Sequence, residues 1–112
     1  MTSIRICDDY TDTPGARFRR DGEYSGEDFR ESLLLPGIRA AQQTGEKLSV
    51  DFDGGYGYPT SFLEEAFGGL VREHGISAAE LKRVLSLTSD DEPSLVREVL
   101  GYIEAAGRKQ ET

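Results

Sequence analysis

The stretch from Leu48 to Arg72, LSVDFDGGYGYPTSFLEEAFGGLVR, decides how the chain is read. Leu48 to Phe52 is a short apolar run beside a turn cluster, the pattern of a buried strand. Asp53 to Pro59, with Gly54, Gly55 and Gly57, reads as a crossing loop. Pro59, then Ser61 followed three residues later by Glu64, predicts a capping box and a helix opening at Thr60 or Ser61. Phe62, Leu63, Ala66, Phe67, Leu70 and Val71 then recur at helical spacing as one broad apolar stripe. Gly68 and Gly69 fall inside this helix, where each costs about 1 kcal/mol against alanine. Gly69 lies on the packing side with Phe62 and Ala66, so close approach to a sheet is the expected reason for it. The helix therefore presents Thr60 and Ser61 at the carboxyl end of a strand, the edge where α/β sheets take up ligands and partners.

Working outward, Ser3 to Cys7 alternates around Ile4 and Ile6 and reads as a first strand, with Cys7 a small residue at its end. Arg17 to Tyr24 predicts a small hairpin with a type I′ turn at Asp21-Gly22 and apolar contacts from Phe18 and Tyr24. Ser25 with Asp28 resembles a second capping box, opening a helix near Gly26. Its apolar side is Phe29, Leu33, Leu34, Ile38 and Ala41, and its end is expected near Thr44-Gly45. Pro36 in the middle removes one backbone bond, so a kink or break is expected there. The helix after Pro59 should close at His74-Gly75 with a glycine cap. Ser77 to Glu80 resembles a third capping box, but the alternation that follows favours one helical turn and then a strand over residues 83–88. A last helix opens near Glu92-Pro93 with the stripe Leu95, Val96, Val99, Leu100, Ile103 and Ala106. The order β-(hairpin)-α-β-α-β-α implies a small α/β domain over residues 1–107, its mostly parallel or mixed sheet packed by three helices. Residues 108–112 form a polar tail expected to fray.

A chain of 112 residues is one domain. Its hydrophobic share of 37% with 30% charged residues is that of an ordinary globule. A formal net charge of −8 argues against a nucleic-acid backbone or an anionic membrane as the main ligand, and suits a basic protein partner or a cation. The single cysteine, Cys7, excludes an internal disulfide and a thiolate metal cage. With no apolar run of transmembrane length and no signal-peptide pattern, a cytoplasmic location is expected.

The segments TPGARFRRDGEYSGEDFRE (13–31) and DFDGGYGYPTSFLEEAFGGLVR (51–72) resemble the STAS-like family of bacterial domains, relatives of the STAS domain of anti-sigma-factor antagonists. The resemblance implies a regulatory, protein-interaction domain without catalysis or cofactor. It also implies a hydroxyl at the mouth of the helix that is phosphorylated by a partner kinase, and Ser61 and Thr60 occupy that place. The partner so implied is a histidine-kinase-type ATPase or serine kinase of the anti-sigma class. One departure is plain. Classical STAS domains carry an Asp-Ser-(Ser/Thr)-Gly-like turn, whereas here Tyr58-Pro59-Thr60-Ser61-Phe62 puts no aspartate immediately before the hydroxyl.

The chemistry of these residues can be weighed on its own. Two successive hydroxyls leave one spare after capping, and a phosphate there would meet free backbone N–H groups and the positive end of the helix dipole. Glu64 and Glu65 would repel that phosphate, so modification would act by disruption, releasing a partner. The partner-binding loop is then Asp53, Gly54, Gly55, Tyr56 and Tyr58, with Glu64 and Glu65 beside it and the tyrosines, together with Tyr24, as aromatic anchors. Arg17, Arg19, Arg20 and Arg30 are the one basic concentration. They read either as a solvated face with local ion pairs or as a secondary docking region. Such a region would meet an acidic partner, or the Glu64/Glu65 edge of a second copy in a homodimer.

A rival class starts from Asp51-Phe52-Asp53-Gly54, which resembles the Asp-x-Asp motif of haloacid-dehalogenase phosphatases. Strand alternation would point Asp51 and Asp53 to one side, as a magnesium-assisted phosphoaspartate mechanism requires. Downstream, only Asp90-Asp91 could add carboxylates, and no lysine is well placed. The glycine loop lacks a Walker lysine, so nucleotide binding has no support beyond the glycines. His74, at a helix end, reads as a cation that interacts favourably with the dipole.

Overall fold

The computed structural model describes residues 3–111. Strands β1 (Ser3–Arg5), β2 (Leu48–Asp51) and β3 (Leu85–Thr88) form a parallel sheet in the order β1-β2-β3. The register sets Ile4, Val50 and Leu87 in one line, with Leu48 beside Leu85. Because side chains alternate along a strand, these five share the face that carries the core. The other face carries Ser3, Ser49, Ser86, Arg5, Asp51 and Thr88. Parallel sheets are usually covered on both faces by apolar packing; here one face is polar throughout.

β1 passes directly into α1, a single turn over Ile6–Asp9. Cys7 therefore sits on a helical turn and not at a strand end. Helix α2 runs through three segments, α-helical at Gly26–Phe29, π-helical at Arg30–Leu34 and α-helical at Leu35–Thr44. Ser25 caps it as expected, its hydroxyl accepting from the Asp28 N–H at 3.0 Å. Pro36 does not break the helix. It falls in the first turn of the last segment, directly after the π turn in which the Leu35 N–H reaches back to the Arg30 carbonyl. A widened turn tolerates the missing N–H and the bulk of the ring. Gly45, in the left-handed region at φ +74°, closes the helix.

The segment from Arg17 to Tyr24 is not a hairpin. It holds one 3₁₀ turn, Arg19–Asp21, and its neighbouring backbone groups are used elsewhere. The Ala16 and Arg17 carbonyls accept from the Gly26 and Glu27 N–H groups at 2.9 and 3.0 Å. The Arg19 N–H donates to the Glu27 carboxylate at 2.9 Å. Satisfying the unpaired donors at the start of α2 takes the groups a strand ladder would need.

Helix α3 also has three segments: Thr60–Leu63, the π-helical Glu64–Gly68, and Gly69–Arg72. Helix α4 spans Ala78–Val84, capped by Ser77, whose hydroxyl accepts from the Glu80 N–H at 3.1 Å. It is longer than the single turn expected because Leu81 and Val84, three residues apart, are both buried on one side. Helix α5 runs over Ser94–Glu111, so the polar residues 108–111 continue the helix. The core gathers Ile4, Leu48 and Val50 from the sheet with Phe29, Leu34 and Ile38 of α2, Phe62, Phe67 and Leu70 of α3, and Val99 and Ile103 of α5. Phe29 and Phe62 stack across the α2–α3 contact with ring centroids 5.7 Å apart. Among the described residues no helix is long and apolar enough to cross a membrane.

Candidate functional site

Asp53, just past the end of β2, clamps the two loops at the carboxyl edge of the sheet. Its carboxylate accepts from the Asp90 N–H at 2.8 Å, the Asp91 N–H at 2.9 Å and the Ser89 hydroxyl at 3.1 Å. The amides of Asp91 and Asp90 hold this carboxyl below the usual carboxylate range. Asp91 returns the contact, accepting from the Gly54 N–H at 3.2 Å. Asp51 accepts from the Asp53 N–H at 2.9 Å. The two aspartates therefore do not converge as a ligand pair: both Asp53 oxygens are spent on the β3–α5 loop. Among the described residues no group of three or more His, Cys, Asp and Glu is placed to hold a metal ion.

The loop's tip is shaped by Gly54 and Gly57, at φ +93° and +118°. At Gly54 a Cβ would also meet the Cys7 sulfur at 2.7 Å. That thiol donates to the Asp53 carbonyl at 3.2 Å. The two loop tyrosines part company. Tyr56 stands 86% exposed. Tyr58 leans inward, donating from its hydroxyl to the Phe52 carbonyl at 2.9 Å, with its ring edge-on to Phe52. Burial pushes the Tyr58 phenol above its ordinary range. Tyr24, half exposed with φ +54°, lies edge-on to Tyr10, whose ring also meets Phe62 in the first turn of α3.

The first turn of α3 follows this loop. Its N-cap is Pro59, which has no side-chain hydroxyl or carboxylate to offer the turn. The Ser61–Glu64 capping box is not formed: Pro59 holds the N-cap position, so Ser61 lies within the first turn, and Glu64 turns to Arg17 and Arg72, each at 2.5 Å. Thr60 is exposed and Ser61 half-buried. Thr60 and Ser61 thus stand in the first turn of α3, directly after the glycine loop.

Arg17, Arg30, Glu64, Glu65 and Arg72 form a partly buried charge network centred on Arg30 and Glu65. Arg30 and Glu65 are only 2% and 5% exposed, so neither belongs to a docking surface. Arg30 donates from Nη1 to the Glu65 carboxylate at 2.7 Å and to the Glu65 carbonyl at 2.8 Å. The other Glu65 oxygen receives Arg17 at 3.3 Å and Arg72 at 3.2 Å. Arg17 does meet the Glu64/Glu65 edge, within its own chain. Burial pushes the Glu64 carboxyl up, but Arg72 and Arg17 outweigh it and leave it below its ordinary value. Arg19 pairs with Asp28 at 3.0 Å and with Glu31, and Arg20 lies over the Phe18 ring.

This network explains two features that sequence reasoning assigned otherwise. A Cβ on Gly69 would collide with the Arg30 guanidinium, lying 3.0 Å from its Cζ and 3.1 Å from its Cδ. The glycine makes room for a buried cation, not for the sheet. His74 accepts a hydrogen bond from Arg30 Nε at 3.2 Å, which only a neutral imidazole can do. It is therefore not a cation at the helix end; burial and the Arg30 charge hold its pKa below the ordinary value. The visible signal was the pair Gly68-Gly69 one turn after two acids, inside an otherwise apolar stripe.

The family described as a STAS-like domain of unknown function (DUF4325) matches residues 25–95. No curated protein and no solved structure matches the chain. The matched span opens at the Ser25 cap of α2 and closes in the first turn of α5, taking in β2, the glycine loop, α3 and β3. With more than half of its length inside that match, and with the parallel sheet and helices described above, the chain belongs to the STAS-like domain family.

Proposed function

We propose that the domain is a non-catalytic regulatory module that docks a protein partner at the carboxyl edge of its sheet. The docking rim is the loop from Asp53 to Pro59 together with the first turn of α3, and Ser61 or Thr60 is the phosphoacceptor of a switch. One observation carries this reading: two hydroxyls stand at the mouth of a sheet-packed helix with no side-chain cap, beside an 86% exposed Tyr56. A phosphate on either hydroxyl would be drawn to the N–H groups of that turn and repelled by Glu64. The partner proposed is of the histidine-kinase-type ATPase or serine-kinase class, as the resemblance to anti-sigma-factor antagonists implies. An Asp53 carboxylate committed to the β3–α5 loop gives no comparable support to a magnesium phosphatase.

The test combines mass spectrometry and binding. Protein isolated from its native host should carry a phosphate on Ser61 or Thr60. A partner captured by the parent protein should be lost or weakened with Tyr56→Ser and with Ser61→Glu, while Ser61→Ala retains it. Equal binding by all three variants would remove the basis of the proposal.

A further inference from the structure

We infer that His74 is a pH-sensitive latch: its neutral imidazole completes the brace that joins α2 to α3, and its protonation opens that brace. Arg30 reaches from the π-helical turn of α2 into the equivalent turn of α3, and Glu65 takes one side of its guanidinium. Nε, on the other side, needs an acceptor, and His74 Nε2 supplies it at 3.2 Å. Leaving a buried donor without its partner is the costly case. A proton on Nε2 does more than remove the acceptor. It places a positive charge in contact with Arg30, inside a cluster that already holds Arg17 and Arg72.

The groups facing the imidazole are Arg30, Arg39 and Glu31 from α2 and Glu73 from its own turn. Arg30 and Arg39 oppose protonation, Glu31 and Glu73 favour it, and burial, the largest influence, opposes it. The sign follows. The histidine binds its proton less readily folded than unfolded. Its contribution to stability is thus complete above the ordinary histidine value near 6.5 and lost as pH falls through the depressed folded value. The interval from pH 7.5 to 5.5 brackets the ordinary histidine value. Opening the brace frees the last turn of α3 and the turn at Gly75 from α2.

Two measurements on the whole chain test the latch. Nitrogen-15 NMR of the wild type reads the only imidazole in the sequence directly. It should show a neutral ring with the proton on Nδ1 at pH 7.5, titrating below 6.5. Hydrogen exchange should show opening of residues 69–76 rising several-fold on going to pH 5.5, up to the roughly tenfold that linkage to a group near 6.5 allows. His74→Gln retains an acceptor oxygen that does not titrate, and should flatten that pH response. A ring titrating at or above 6.5, a proton on Nε2 at pH 7.5, or an equal response in His74→Gln overturns the inference.

Discussion

Replacing Gly69 with alanine should destabilise this domain, although alanine is the better helix former. At an exposed helical site the change would stabilise by about 1 kcal/mol. At Gly69 the new methyl group would occupy the space of the Arg30 guanidinium, within 3.1 Å of its Cδ and in outright collision with Nη1. Arg30 is long, but it has nowhere to go: its Nη1 is bonded to Glu65, its Nε to His74, and it is buried. Displacing it breaks a buried ion pair, for which removal of one partner costs about 3–5 kcal/mol. With the propensity gain set against this, the expected net loss is about 2–4 kcal/mol. Urea unfolding followed by circular dichroism reads it as a midpoint lowered by about 1–2 M at typical slopes. Gly101→Ala is the control, since a Cβ there meets nothing within 4 Å on exposed α5. That variant should rise in midpoint. Adding Gly69→Ala to Arg30→Met should cost little beyond Arg30→Met alone, because the side chain that collides has gone and the ion pair is already lost. A Gly69→Ala protein as stable as the parent would show that Arg30 is not pinned where the structure puts it.

The helix caps supply a second prediction. Ser77→Ala removes the acceptor for the Glu80 N–H and should cost about 1 kcal/mol in the same assay. Ser61→Ala, at a turn its side chain does not cap, should stay within about 0.5 kcal/mol of the parent. Acid provides a third. Asp53 is held below its usual value by the Asp91 and Asp90 amides, and Asp28 by the Tyr10 hydroxyl and Arg19. Both contributions are complete above the ordinary aspartate value near 3.9 and are lost as pH falls through the depressed ones. Asp53→Asn should therefore make stability less dependent on pH below about 4. It should also speed proteolysis at Ser89–Glu92, where the clamp is released; an unchanged acid profile and cleavage rate would contradict that role for the carboxylate.

Much of this fold was legible along the chain. Ser25, Ser77 and Gly45 announce helix ends because a cap is a local bond between residues three or four apart. The alternation of β1 and the stripes of α3 and α5 are local in the same sense, and they place the glycine loop and the Thr60/Ser61 turn at the sheet edge. The hairpin, the Pro36 break and the Ser61 cap fail because the surrounding backbone and charge partners are arranged otherwise than each local pattern assumes. Ala16 and Arg17 lend their carbonyls to α2, a π turn absorbs Pro36, and Glu64 answers to Arg17 and Arg72.

The amino-acid order by itself thus determined the sequence of elements, the class of sheet and the helix turn that carries Thr60 and Ser61, since periodicity and caps act over one or two turns. Only the tertiary structure decided which charges face inward. Arg30 meets Glu65 across 35 positions and His74 across 44, and no spacing rule reaches that far. Desolvation then makes those few bonds strong enough to override what each residue would do alone in water.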